Sequence, residues 1–291
     1  MKKSILAIAV LLGSTSFAQE MKSDMGEDYL PAAGDWAIGI DATPFLNYVG
    51  NLIGGQDGNT APSWNALTTN QTITGKMFKE DNLAYRGSLR IGFGSANTSN
   101  MVLEETTETF TYPEAPHMVE DTWKQSAFNV GISAGLEKRR GFGRLQGYYG
   151  AEVGIGIATS SESYEYGNAI IAANGMPATS DWGLGNITQD TYGNVARVTE
   201  SKSGMAFQIG ARAFIGAEYF VMPRIAIGGE FGWGLGFAAL GTSSVTIEST
   251  DGTTVGTQTT ETNNGSGFAL DTDSNTGMFG PAGSLRMTFH F

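Results

Sequence analysis

The chain has 291 residues, 29 carboxylates against 17 lysines and arginines, a formal charge of −12 and no cysteine. The missing thiols exclude a disulfide framework and a thiolate metal site, and the acidity argues against nucleic acid as a partner. Glycine supplies 41 residues, twice its usual share of about 7%, while the mean hydropathy of −0.13 is that of an ordinary polar chain.

Lys2 and Lys3 precede an apolar run from Ile5 to Leu12, and Ser16-Phe17-Ala18 ends on a small residue. This pattern predicts a signal peptide over 1–18, cleaved before Gln19, with no cysteine to carry an acyl anchor. Loss of the two lysines takes −12 to −14. A short periplasmic segment over 19–33 follows. No later apolar stretch approaches the roughly 20 residues a membrane helix needs, so a membrane-spanning form requires a closed barrel of strands.

From Gly34 onward, apolar residues alternate with polar ones in eight segments. The first sets Trp36, Ile38, Ile40 and Ala42 on one face, and the second Ile73, Gly75 and Met77. Leu83 to Phe93 forms the third, Phe128 to Leu136 the fourth, Leu145 to Ile157 the fifth and Phe207 to Tyr219 the sixth. Ile225 to Phe237 makes the seventh and Phe279 to Phe291 the eighth, where Pro281 requires a bulge because proline lacks a ladder donor. The connections alternate in length. Lys79–Asn82, Lys138–Gly143 and Phe220–Arg224 are short, whereas Asn47–Thr69, Ser95–Lys124, Ser160–Lys202 and Ala238–Asn275 are long. The long ones hold 17 carboxylates against Lys124 and Arg197, with Lys202 at the rim.

Charge supplies an independent check on the faces, since Arg or Lys facing lipid at mid-depth costs about 2–4 kcal/mol. Asp41, Lys76, Arg86, Arg90, Glu137, Glu152, Arg212, Glu218, Glu230 and Arg286 all fall opposite the apolar sets. The expected fold is therefore all-β, an eight-stranded antiparallel up-and-down transmembrane barrel over 34–291 with four long acidic extracellular loops and both termini periplasmic. A soluble sandwich is the competing fold. Trp36, Tyr85, Tyr149 and Tyr219 toward one rim, and Phe93, Phe128, Trp233 and Phe237 toward the other, make two aromatic girdles.

The segment Gly34–Phe291 resembles the small eight-stranded outer-membrane barrels of Gram-negative bacteria, the class of the outer-membrane protein A transmembrane domain and the outer-membrane protein X and W families. The final strand carries the most specific likeness, with Leu285, Met287, Phe289 and Phe291 alternating up to a terminal aromatic. The resemblance implies that this strand is an assembly signal read by the barrel-assembly machinery, and that the partners in place are outer-membrane lipid and lipopolysaccharide. The extracellular partner of the loops is not readable.

An eight-stranded barrel is just wide enough for side chains to fill, and the five acidic and five basic inward residues neutralise one another there. A plugged lumen is expected, with inward glycines such as Gly216, Gly232 and Gly234 making room for long side chains. The function expected is structural or surface interaction through the loops; a narrow channel or transporter for small ions or apolar molecules is the alternative. Catalysis is not expected, because His117 sits in a loop and His290 at the periplasmic rim, satisfied by solvent, neither near an evident nucleophile. Asp271 to Gly277 spaces oxygen ligands like a calcium turn, but Thr276 stands where such a loop needs glycine and Ala282 where it needs a bidentate glutamate. No metal or cofactor is predicted. Val245-Thr246-Ile247 and Thr253-Thr254-Val255 around Asp251-Gly252 read as a hairpin with a free edge.

Overall fold

The computed structural model describes residues 21–54, 72–105, 112–272 and 285–291. The elements are β1 (Trp36–Asp41), α1 (Thr43–Ile53), β2 (Ile73–Glu80), β3 (Leu83–Leu103), β4 (Met118–Phe142), β5 (Leu145–Glu165), β6 (Ile187–Gln189) and β7 (Val195–Lys202). They continue with β8 (Ala206–Met222), β9 (Ile225–Leu240), β10 (Ser243–Thr250), β11 (Val255–Thr262), β12 (Ser266–Thr272) and β13 (Leu285–His290). Every pairing is antiparallel. The order β1-β2-β3-β4-β5-β8-β9-β13 returns from β13 to β1, so eight strands close into a ring.

Alternation explains the ring. Ile38, Ile91, Phe93, Val153 and Ile215 point outward and are exposed, whereas Lys76, Arg86, Glu137, Glu152 and Arg212 on the other parity are buried inside. At one rim the hairpins turn in two residues, at Asp81-Asn82, Gly143-Arg144 and Pro223-Arg224. Gly143 and Arg224 adopt φ of 59° and 62° there, the left-handed geometry that tight hairpins use. These turns are shorter than the sequence suggests. Lys138-Arg139-Arg140 reads as a polar connection, yet it continues β4 in strict alternation, with Arg139 buried inside and its two neighbours exposed.

Residues 21–33 close this rim. A bridge pairs Lys22 with Asp28, and Tyr29 packs with Phe220, Ala226, Met21 and Leu30. Arg144 stacks 3.9 Å over the Tyr29 ring and donates to its hydroxyl at 2.7 Å.

The opposite rim departs most from expectation. β3, β4 and β5 run well beyond the ring, and β7, β10 and β11 add to β5 in the order β5-β7-β10-β11. Segments expected as loops thus form an extension with its own core of Tyr164, Ala196, Val198 and Ile247, against which Trp123, Tyr166 and Trp182 pack. Arg197 is fully buried beneath it. Its guanidinium lies 4.2 Å over Tyr166, reaches Glu248 at 2.5 Å and donates to the Asn168 carbonyl at 2.5 Å. Apolar burial plus saturation of one cation gives these connections what an ordinary surface loop lacks.

Two other differences follow β1 and β11. After β1 the chain forms α1, where the sequence reading places strand end and loop; Pro44 in its first turn suits a helix start. Ser266–Thr272, expected in a loop, is β12 and pairs with the upper part of β9. The described part of the last strand is Leu285–His290. Phe279, Pro281, Gly283 and residues 1–18 of the expected signal peptide lie outside the described residues.

Two predictions follow from the extension. Ile247→Ala removes apolar volume from its core and should destabilise β7, β10 and β11 by about 2–5 kcal/mol, read as faster amide exchange there with the ring strands unchanged. The Asp190 carboxylate accepts from the Asn194 side chain, from the amides of Tyr192 and Asn194 and from the Ser249 hydroxyl. These donors, Asn194 foremost, pull it down to about 2 from 3.8. A depressed carboxylate stabilises the turn above its unfolded value, and that contribution disappears as pH falls through about 2. The gap in amide protection between wild type and Asp190→Ala should therefore be full at pH 5 and nearly gone below the folded value.

Candidate functional site

The interior of the ring holds a layer of charge built by strand register. Lys76 stands opposite Arg86, Arg86 opposite Gly135, Gly135 opposite Glu152 and Glu152 opposite Arg212. Neighbouring β2 and β3 thus place two cations side by side, which requires carboxylates from elsewhere. They come from across the interior.

Arg86 reaches Glu230 with both terminal nitrogens, at 2.5 and 2.9 Å. Since β3 and β9 stand four strands apart in a ring of eight, this pair spans the interior along a diameter. Lys76 on β2 lies 3.8 Å from Glu218 on β8, a second diametric contact, and 2.8 Å from Glu137 on β4. Arg212 bridges Glu152 and Glu230, each at 2.8 Å. Arg286 lies 3.4 Å from Glu230 and donates to the Thr74 hydroxyl at 3.0 Å. Ser133 donates to Glu152 at 3.2 Å.

The sequence-derived set therefore divides. Lys76, Arg86, Glu137, Glu152, Arg212, Glu218, Glu230 and Arg286 meet in one network. Asp41 stands opposite Arg286 in the β1–β13 register. Arg90 lies one step nearer the extension, where its Nε donates to Asn129 at 2.8 Å. Of the residues expected to form an assembly signal, Leu285, Phe289 and Phe291 are exposed at the outside of β13 and its end, and Met287 faces the same way, opposite Ile40 and Ile227.

Several members were not singled out by sequence reasoning. Arg139 contacts Glu218 directly and lies 3.7 Å from Glu137; the alternation Glu137-Lys138-Arg139 carried the signal. Aromatic faces complete the cation shell. Arg86 sits 4.2 Å over Phe214, Lys76 4.6 Å over Tyr148, and Arg139 5.1 Å over Phe78. Such contacts strengthen when desolvated. Gly232 and Gly216 explain part of the glycine excess, because a Cβ at either would strike Arg212 or the Tyr148 ring.

Toward the turn rim the charge layer gives way to an apolar floor of Ala37, Phe78 and Ala84, with Phe220 and Ala226 over Tyr29. His290 belongs to this floor, 4% exposed, with its ring 5.1 Å from Phe220 and 5.7 Å from Phe78. This corrects the expectation of a solvated rim histidine. Its Nδ1 lies 3.3 Å from the Arg224 carbonyl. His117 sits in the extension, 3.4 Å from Glu104 and exposed. Asp273 to Gly277 lie outside the described residues, and among the described ones no three His, Asp or Glu side chains converge to hold a metal ion.

Chemically the layer is a set of mutually compensating ion pairs, and its effect is to fill and cross the interior. Glu230→Gln removes the carboxylate shared by three arginines and leaves buried positive charge uncompensated. It should cost about 3–5 kcal/mol, measured as a lowered unfolding midpoint, while Glu165→Gln on the exposed side of β5 leaves the midpoint within about 0.5 kcal/mol.

A scan against protein-family models, a search of curated proteins and a search of solved structures each found no match to this chain. What the chain does has to be argued from its own geometry.

Proposed function

We infer that the chain is an eight-stranded outer-membrane β-barrel, sealed inside, that serves a structural and surface-interaction role through the extension beyond its rim. One observation carries the reading: the ring is inverted relative to a water-soluble protein. Its ionic network is buried inside, and its outer face is a continuous band of exposed Ile91, Phe93, Val153, Ile215, Phe231 and Trp233. Water makes such a band costly, at about 25 cal/mol per Å² of apolar surface; lipid removes that cost, and a closed ring leaves no backbone edge unpaired in hydrocarbon.

Supporting features follow from the same placement. Trp36, Tyr85, Tyr149 and Tyr219 are exposed near the turn rim and Phe93, Phe128, Trp233 and Phe237 near the other, the heights of the two membrane interfaces. Short turns lie on the periplasmic side and the acidic extension lies outside. The alternating end Leu285, Met287, Phe289 and Phe291 suits recognition by the barrel-assembly machinery. Transport is the less favoured role, because Arg86–Glu230 and Lys76–Glu218 cross the interior and residues 21–33 cover its floor.

A variant keeping Trp233 as its sole tryptophan, reconstituted in bilayers with brominated acyl chains, should lose most of its fluorescence; unquenched emission would reject the membrane placement. In planar bilayers the wild type should show no stable conductance. Deleting residues 21–33 together with Lys76→Ala and Arg86→Ala removes the floor and both diametric contacts and should produce one. A reproducible wild-type channel would sink the sealed-interior role while leaving the barrel intact.

A further inference from the structure

The extension ends in an open edge. Among the described residues β11 pairs only with β10, so the backbone groups of one side of an eight-residue strand face outward. Natural edge strands are usually blunted by lysine, proline, a bulge or an inward charge. β11, Val255-Gly256-Thr257-Gln258-Thr259-Thr260-Glu261-Thr262, has no lysine, no proline and no register shift against β10. Its lone charge is Glu261. Such an edge is built to accept an extended strand.

We propose that the free edge of β11 takes the same edge of a second copy of this chain, antiparallel about a two-fold axis at Thr259. The two-fold itself restricts the register. Opposed residues of an antiparallel pair point to the same face of the sheet, so one residue must face its own counterpart on the axis. Placing Thr259 there overlaps Gly256 through Thr262 and sets Thr257 against Glu261 and Gln258 against Thr260. The two Glu261 carboxylates stay apart, and each has a hydroxyl opposite. Centring on Gln258 instead would oppose Val255 to Glu261.

Side-chain chemistry favours the copy over a foreign strand. Thr259 is exposed on the face away from the extension core, and its hydroxyl lies 3.0 Å from that of Thr246 on β10. This hydroxyl ladder stops at the edge. A second Thr259 continues it to the second Thr246, and cross-strand threonine pairs stabilise sheets. Gln258, on the other face, accepts a hydrogen bond from the Thr191 hydroxyl at 3.2 Å. One strand pair buries less than the roughly 1,000 Å² of a durable interface, so the contact is weak singly and depends on many copies in one surface. The inference rests on the membrane reading only for placing β11 outside the cell; the pairing itself is a property of the edge.

The chain has no cysteine, so a single introduced thiol can form disulfides only between copies. Whole protein in detergent, carrying Gly256→Cys, Thr259→Cys or Thr262→Cys, would be oxidised in parallel. Facing residues on the axis have Cβ atoms within reach of a disulfide, so Thr259→Cys should give covalent dimer on the order of tenfold faster than either flank. Thr257→Glu combined with Thr259→Cys sets like charge against Glu261 at both ends of the pairing and should abolish the excess, with the fold retained by circular dichroism. Equal rates at all three positions, or no dimer at any, overturn the proposal, as does protection of β11 amides from exchange only when a foreign extended peptide is added. Because the assay needs no bilayer, its failure is separate from failure of the bromolipid experiment.

Discussion

The ion pair between Arg86 and Glu230 crosses the ring from wall to wall, and the rest of the interior is arranged around it. Closing eight strands leaves a bore that side chains can fill but backbone cannot. A purely apolar filling would make both faces of every strand hydrophobic. Charge inside and apolar side chains outside keep the strand alternation and fix register, because a one-residue slip would turn every arginine outward.

Buried charge is tolerable only when each group finds partners, and the network meets that condition by sharing. Glu230 serves Arg86, Arg212 and Arg286; Glu137 serves Lys76 and Arg139, with Arg86 at 3.8 Å. Cations outnumber carboxylates within this layer, and Phe214, Tyr148 and Phe78 offer ring faces to the surplus. Glycine opposite the long side chains completes the packing. High glycine content, aromatic residues inside and paired charges are thus one solution to one volume constraint.

Alternation made most of the ring legible in the sequence, because Arg86, Arg212 and Glu230 each sit one residue from an apolar neighbour whose direction is unambiguous. Arg139 escaped because a basic run beside glycine has the composition of a turn, although its parity matched Glu137. The diametric pairings were unreadable for a different reason: sequence fixes which face a residue takes, but not which residues on opposite walls share a height. The extension was hidden by composition. Thr- and Ser-rich stretches look like solvated loop, and only the convergence of Tyr164, Val198, Ile247 and Trp182 from four distant segments makes them a core. Similarly, Phe45, Leu46, Val49, Leu52 and Ile53 have helical spacing, but the stretch follows a strand and most of it reads as the start of the long connection Asn47–Thr69.

Closure and extension have opposite consequences for the same sheet. Within the ring every described strand has two neighbours, so along the paired stretches backbone groups are satisfied on both sides. Carrying β5 past the rim and adding β7, β10 and β11 reopens the sheet and restores an edge, which closure had removed. A chain that only needed a closed ring would end its strands at the rim. This one instead builds a separate core around Arg197 to hold the protruding sheet in place, and it leaves the last strand free of the residues that would blunt it. The edge of β11 therefore keeps backbone hydrogen-bonding groups of the kind that pairing satisfies within the ring, and interaction at that edge requires no change in the ring beneath.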